Sequence, residues 1–356
     1  MGIRKKWIDK TALLCMLAFT LTACKGKEAE PSQSTGGDVV QQSSESLTVS
    51  EEGSSEEGTM EEAAGAYESV MDVICGASGI VLEKEGVLLV TDTYNKVIWQ
   101  VKLSDGECSV YAGGETVADL YGEPVGGYND ATLETSYFRS PWAIAPFLDG
   151  YAVSDSENNA IRLISKEKVQ TVNGSTTERL VIKNMGVVFD NPTGLAADEE
   201  GNLYVSDTSK GAVRRISSEG KVTTVAKDLE DPMGLCWKDG VLYIAETGQN
   251  RIVKLQSGKL EAVAGSGVTG FVDGSVEQAV FASPQAIAVA DDGTIYVSDT
   301  GNSAVRKIKD GQVTTLLARD RTSLINSPVS PVGLLAVGQD LYICDNFARK
   351  VIRVDR

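Results

Sequence analysis

The chain has 356 residues, 42% of them hydrophobic, enough for one large domain with appendages. Its formal net charge is −17, and an acidic surface repels nucleic acid and anionic lipid, which argues against a phosphate-tracking role. There is no histidine, which removes histidine acid–base chemistry, histidine–metal sites and histidine-dependent nucleophile triads.

In chain order, the first feature is a basic cluster, Arg4-Lys5-Lys6, followed by an apolar stretch from Thr11 to Ala23. A membrane-spanning helix needs about 20 apolar residues, so residues 1–23 read as a signal peptide rather than a span. The segment ends Leu21-Thr22-Ala23-Cys24, which resembles the bacterial lipobox. That resemblance implies a lipoprotein: Cys24 takes a diacylglyceryl group, becomes the mature N-terminus, and tethers the protein to the cell membrane, facing outside the cytoplasm. Two or more acyl chains anchor stably, whereas one does not.

Residues 24–65 are rich in Ser, Glu, Gly and Gln and hold almost no large apolar side chains. Such a stretch cannot bury enough surface to offset its ordering entropy, so a disordered tether is expected. A flexible chain of that length spans roughly 35 Å, and its like charges extend it.

Residues 66–356 repeat one unit. The fifth copy is clearest: Ser283 to Val289, Gly293 to Asn302, Val305 to Ile308 and Val313 to Leu317, each apolar run strand-length and bounded by turn residues. The unit therefore predicts four antiparallel strands, A to D. An acid ends each strand B, at Asp92, Asp155, Asp207, Glu246, Asp299 and Asp345. Six residues further on stands Ile98, Ile161, Val213, Ile252, Val305 or Val351. Strand A opens near Pro141, Pro192, Pro232, Pro284 and Pro331. The chain stops on a strand C at Val351-Ile352-Arg353-Val354, so the segment Tyr67 to Cys75 is expected to supply the missing outer strand of the last blade.

The segments Asp299-Thr300-Gly301-Asn302 and Glu246-Thr247-Gly248-Gln249-Asn250-Arg251-Ile252 resemble the NHL repeat family. So do the insertions Gly127-Tyr128-Asn129-Asp130 and Gly270-Phe271-Val272-Asp273-Gly274, which lead to Phe138 and Phe281. The resemblance implies an all-β fold, a six-bladed β-propeller of four-stranded antiparallel blades closed by the N-terminal strand. It is informative about fold and poor in function, since such propellers include enzymes, sensors and adhesion modules.

The repeated acids invite a cation ring, but an Asp at a strand end also accepts backbone N–H bonds and closes a turn. Three residues on, the sequence varies through Asn95, Asn158, Lys210, Gln249, Asn302 and Ala348, and a shared metal site does not suit Lys210. The acids are therefore read as turn caps, with no metal and no cofactor expected. Calcium stays with the alternative, a calcium-dependent hydrolase or lactonase-like enzyme. Calcium-dependent lactonase propellers resemble this architecture and converge Glu, Asn and Asp on the axis, whereas the channel-mouth positions here are Ser78, Trp142, Thr193, Met233, Gln285 and Val332. Amidating lyases of similar fold use histidine ligands, which this chain lacks. Cys75, Cys108, Cys236 and Cys344 show no metal-ligand spacing, and no disulfide pairing can be chosen among them.

The positive feature is aromatic: Tyr94, Tyr121, Tyr128, Tyr137, Arg139 and Trp142, joined by Phe347 and Arg349 from the last blade, on the face carrying the long insertions. Phe138 and Phe281 are expected as plugs between blades. The leading reading is a surface-displayed, non-catalytic recognition propeller that binds a protein, peptide or glycan and no nucleic acid.

Overall fold

The computed structural model describes residues 67–71, 74–172, 189–319 and 328–355. The leader, Cys24 and the tether lie outside the described residues. Six antiparallel sheets are arranged as the blades of a β-propeller. Blade 1 spans residues 77–112, blade 2 residues 141–171, blade 3 residues 192–226, blade 4 residues 232–264 and blade 5 residues 284–318. Blade 6 takes Pro331–Val337, Asp340–Asp345 and Lys350–Asp355 from the end of the chain and Tyr67–Met71 from its beginning. Short strands Ala131–Thr132 and Gly274–Ser275 add a fifth strand to blades 2 and 5.

The expected closure is present. Tyr67–Met71 runs antiparallel to Lys350–Asp355, with Tyr67 opposite Val354 and Ser69 opposite Ile352. The strand ends at Met71 rather than at Cys75, and Ile74 beyond it is fully buried among Val332, Tyr342 and Val351. Closure thus combines main-chain pairing with an apolar plug.

Each apolar cluster lies between two neighbouring blades. Ala145, Phe147 and Ile161 of blade 2 meet Leu195, Val205 and Ile216 of blade 3, and corresponding layers fill the other blade junctions, including that between blades 6 and 1. Alternation along each strand explains this: one side chain set faces the preceding blade and the other the following blade. Phe138 and Phe281 are fully buried plugs, as expected, and Phe189 occupies the same place between blades 2 and 3.

Inner strands pack too closely for side chains. A Cβ on Gly79 would sit 2.7 Å from the Trp142 carbonyl oxygen, and one on Gly234 would sit 2.7 Å from the Ala286 Cα. Glycine at this position lets adjacent strands A touch around the axis. Hydroxyls then stitch the blades together: Thr208 Oγ1 donates to the Pro232 carbonyl at 2.8 Å, Thr247 Oγ1 to Pro284 at 2.6 Å and Thr300 Oγ1 to Pro331 at 2.6 Å. In the closing junction Asn346 Nδ2 donates to the Ala77 carbonyl.

Candidate functional site

The six repeated acids face the connections that enter strand A. Asp92 accepts the Cys75 N–H, Asp155 those of Arg139 and Ser140, and Asp207 that of Asp190. Glu246 accepts from Glu230, Asp299 from Ala282, and Asp345 from Val329 and Ser330. This pins the D–A connection of every blade onto its own B–C turn, so both loop sets share one face. The expected capping of the following turn is made by Asp92, to Tyr94 and Asn95, and by Asp345, to Ala348. In blades 2 to 5 the turn is a short 3₁₀ helix whose N–H groups receive no side-chain cap from the acid. There the acid's other oxygen meets an arginine from strand C.

Those arginines were not singled out from sequence. Arg162 and Arg306 are fully buried. Arg162 donates to Asp155 at 2.9 Å, to Asp130 at 2.8 Å, and to the carbonyls of Tyr137 and Asn129. Arg306 repeats the arrangement with Asp299 at 2.7 Å, Asp273, and the carbonyls of Val280 and Val272. Each guanidinium lies between two rings, Tyr128 and Phe138 around Arg162, and Phe271 and Phe281 around Arg306. The signal that could have found them is an Arg seven residues after the acid, at Arg162, Arg214 and Arg306, with Trp99 taking that place in blade 1. Burial pushes the Asp299 carboxyl above the ordinary carboxylate range despite its bonds from Ala282, Asn302 and Arg306.

The expected aromatic cluster divides into three groups. Tyr128 and Tyr137 belong to the Arg162 assembly, the Tyr128 hydroxyl donating to Thr171 at 2.7 Å. Trp142 lines the axial cavity with Gln285, Ala286 and Val332. That cavity holds about 80 Å³, room for a few waters and far below the roughly 300 Å³ at which small-molecule pockets begin. Arg139 is exposed and stands 4.0 Å from Glu157, a solvated pair of little energetic weight.

The third group joins three parts of the chain. The Arg349 guanidinium lies 5.7 Å from the Tyr94 ring centre, bridging blades 6 and 1. The Glu123 carboxylate, in the long connection between blades 1 and 2, acts on the Tyr94 phenol. Phe347, in the same turn as Arg349, is 75% exposed. The Glu123 carboxylate, then burial, pushes the Tyr94 phenol up to about 12, against the opposing charge of Arg349. A phenol raised on folding holds its proton more tightly in the folded state, so its contribution is complete below pH about 10 and fades as pH rises toward 12. An ultraviolet titration of tyrosinate is expected to lose one late-titrating component in Tyr94→Phe; an unchanged titration would show that Glu123 does not hold this phenol's proton.

Among the described residues, no three His, Cys, Asp or Glu side chains form a group able to hold a metal ion, and no disulfide joins Cys75, Cys108, Cys236 and Cys344. Burial pushes the Cys236 and Cys344 thiols well up. No described helix is long and apolar enough to cross a membrane.

A propeller of six blades, with an acid at the end of each strand B and a loop face built on those acids, defines the class. Residues 281–308 match the NHL repeat, and that repeat sits in a six-bladed β-propeller. It is 28% identical over 270 residues to the human NHL repeat-containing protein 2, covering 66% of this chain and 33% of that protein. It is 30% identical over 192 residues to virginiamycin B lyase of Nocardia farcinica, covering 46% and 66%. Against Suppressor of quenching 1 of Arabidopsis thaliana, the match is 28% identical, covers 62% of this chain and spans 18% of the relative. The chain thus spans less than two thirds of each of these relatives.

Among solved structures, it is similar to an auxiliary nutrient binding protein of Bacteroides thetaiotaomicron, with TM-score 0.59, 14% identity and coverage of 79% and 69%. A catalytically inactive histidine-to-alanine variant of Staphylococcus aureus virginiamycin B lyase with quinupristin gives TM-score 0.52, 12% identity and coverage of 82% and 98%. A gluconolactonase of Xanthomonas campestris gives TM-score 0.57, 14% identity and coverage of 81% and 89%. At these identities the likeness is one of fold.

Proposed function

We propose that this propeller is a non-catalytic recognition domain that binds a macromolecular partner through the face bearing the B–C turns and D–A connections. The observation that carries this reading is the concentration of exposed apolar side chains there: Leu120 at 100% exposure, Tyr121 at 90%, Val117 at 77% and Phe347 at 75%. Exposed apolar surface of this kind marks interaction sites, while scattered single residues do not. The opposite face presents acidic hairpins such as Asp198-Glu199-Glu200-Gly201. The likeness to a nutrient-binding propeller supports a binding role, and the lyase whose histidine-to-alanine variant is inactive offers no counterpart, because this chain has no histidine.

The recognition face is tested by binding of purified residues 66–356 to cells that lack the protein. Saturable binding is expected, weakened roughly 30-fold when Phe347→Ala and Arg349→Ala are combined, as truncation of a central anchor costs about 2 kcal/mol or more. Glu199→Ala and Glu219→Ala are expected to leave it unchanged. Equal loss from both faces would contradict the reading.

The same proposal places the domain at the membrane by a lipid on Cys24, outside the cytoplasm, and rests on the Leu21-Thr22-Ala23-Cys24 segment behind a short apolar leader. Cys24→Ser is expected to leave the protein unprocessed or to release it into the aqueous phase on detergent partitioning. Normal processing with unchanged partitioning would remove the anchor.

A further inference from the structure

The most exposed apolar group of the described residues is not in the Tyr94–Arg349 cluster itself but on a hairpin beside it. Val117–Ala118 pairs with Pro124–Val125. Asp119 organises the turn between them: its Oδ1 accepts the N–H groups of Tyr121 at 2.7 Å and Glu123 at 3.0 Å, while its own N–H donates to the Glu123 carbonyl at 2.9 Å. The Gly122 N–H donates back to the Asp119 carbonyl, and Gly122 adopts φ 84°, a left-handed conformation that favours glycine. The tip is therefore held by local bonds, and what it presents is Leu120 and Tyr121, fully and 90% exposed. Glu123, at the base, sits close enough to Tyr94 to act on its phenol, and Tyr94 in turn carries the Arg349 guanidinium, so the hairpin lies beside the junction of blades 1 and 6.

Charge narrows what this prong can meet. From residue 108 to residue 138 there is no Lys or Arg, but there are Glu115, Asp119, Glu123, Asp130 and Glu134. Of these, Asp130 is paired with the buried Arg162, while Glu115 and Glu134 are exposed. The hairpin's own charges, Asp119 and Glu123 with Glu115 just before it, form an acidic collar that has Arg349 across Tyr94 as its neighbouring cation; such a collar is poorly matched to an anionic lipid surface, and a second copy of this chain carries the same net negative charge. The complementary surface is an apolar pocket bordered by cations.

We propose that the 117–125 hairpin is a docking prong whose partner is a protein offering an apolar pocket rimmed by Lys or Arg, with Leu120 and Tyr121 as the inserted anchors. This rests on the recognition reading above and names its partner class. A rigid tip costs little entropy on insertion, and a Tyr anchor supplies contact area with few rotatable bonds.

The test uses the full-length protein in the membranes of its source cell, carrying the photoreactive residue p-benzoylphenylalanine in place of Tyr121, of Phe347 or, as a control, of Glu219. From Tyr121 the expected result is adducts to a protein whose cross-linked peptide lies in an apolar pocket bordered by Lys or Arg. Their yield is expected to fall about tenfold when Glu115→Lys and Glu134→Lys are combined, because the collar then repels the rim. Adducts from Tyr121 to lipid or to a second copy would overturn the proposal, as would a yield indifferent to the charge reversal. Adducts from Phe347 with none from Tyr121 would overturn the prong and leave the recognition face standing. Adducts from neither position would remove both.

Discussion

Replacing Arg162 by Ala is expected to destabilise the propeller by about 3–5 kcal/mol, and Arg306→Ala by a similar amount. Both guanidiniums are fully buried, and each serves two carboxylates and two backbone carbonyls. Removing one leaves Asp155 or Asp299, themselves fully buried, without a compensating cation. It also frees the carbonyls that hold the Gly127–Asp130 or Gly270–Asp273 insertion against its blade. Asp299→Asn is expected to cost less than Arg306→Ala. The amide nitrogen would face the Asn302 and Arg306 donors, but no buried charge is left unpaired: burial already pushes the Asp299 carboxyl toward its neutral form, the amide oxygen can still accept the Ala282 N–H, and Arg306 keeps Asp273. Denaturant melts of the three variants check the order. An Arg306→Ala protein as stable as its parent would show that the pair is energetically neutral and serves only to place the loop.

The second large effect is expected from removing the closing strand. A chain beginning at Gly76 loses the pairing of Tyr67–Met71 with Lys350–Asp355 and also the fully buried Ile74. Blade 6 would then expose an unpaired strand edge, and the layer shared by Ile74, Val332, Tyr342 and Val351 would open. Loss of a buried side chain of this size alone costs about 2–5 kcal/mol. The expected result is a broad, non-cooperative unfolding transition and association through the free edge. A truncated protein that melts at the temperature of residues 66–356, with one sharp transition and as a monomer, would show that the ring closes without this strand.

The architecture was legible because its signals are repeated. Six acids at strand ends, β-branched residues six positions later and prolines at the start of strand A define a unit that cannot bury its apolar faces alone, so copies must stack. The outer strand of blade 6 is Tyr67–Met71, within the segment from which it was expected. What repetition could not reveal is chemistry that occurs in some copies only. The acids were expected to cap the turns after them, yet in blades 2 to 5 their oxygens turn back to the connection before strand A and outward to an arginine, holding the following turn only through the side chains of Asn158 and Asn302 in blades 2 and 5. Local spacing favours the capping geometry, whereas the tertiary contact with strand C decides it. The plug Phe189 was missed because nearby sequence lacks the insertion that frames Phe138 and Phe281.

The aromatic site was legible in composition but not in grouping. Tyr94, Tyr128, Tyr137 and Trp142 all lie in or next to the connections of blades 1 and 2, and sequence proximity suggested one cluster. The folded chain spends Tyr128 on the face of Arg162 and points Trp142 at a cavity of about 80 Å³, leaving Tyr94, Arg349 and Phe347 beside the exposed hairpin. Leu120 and Tyr121 carry the greatest exposure; Tyr121 was legible as one of the aromatics of this face, but the hairpin that presents it with Leu120 was not, because a two-residue strand pair has no period to read.

The central claim, that recognition runs through the loop face around blades 6, 1 and 2, is tested most directly by hydroxyl-radical footprinting. The full-length protein in its source cells is compared with the purified protein in solution, residue by residue. The account predicts that oxidation of Leu120, Tyr121 and Phe347 falls in the cellular sample, while Trp237 and Leu260 on the remaining surface keep their solution reactivity. Protection confined to the hairpins around Glu199 and Glu219, with Leu120, Tyr121 and Phe347 oxidised equally in both samples, would contradict it.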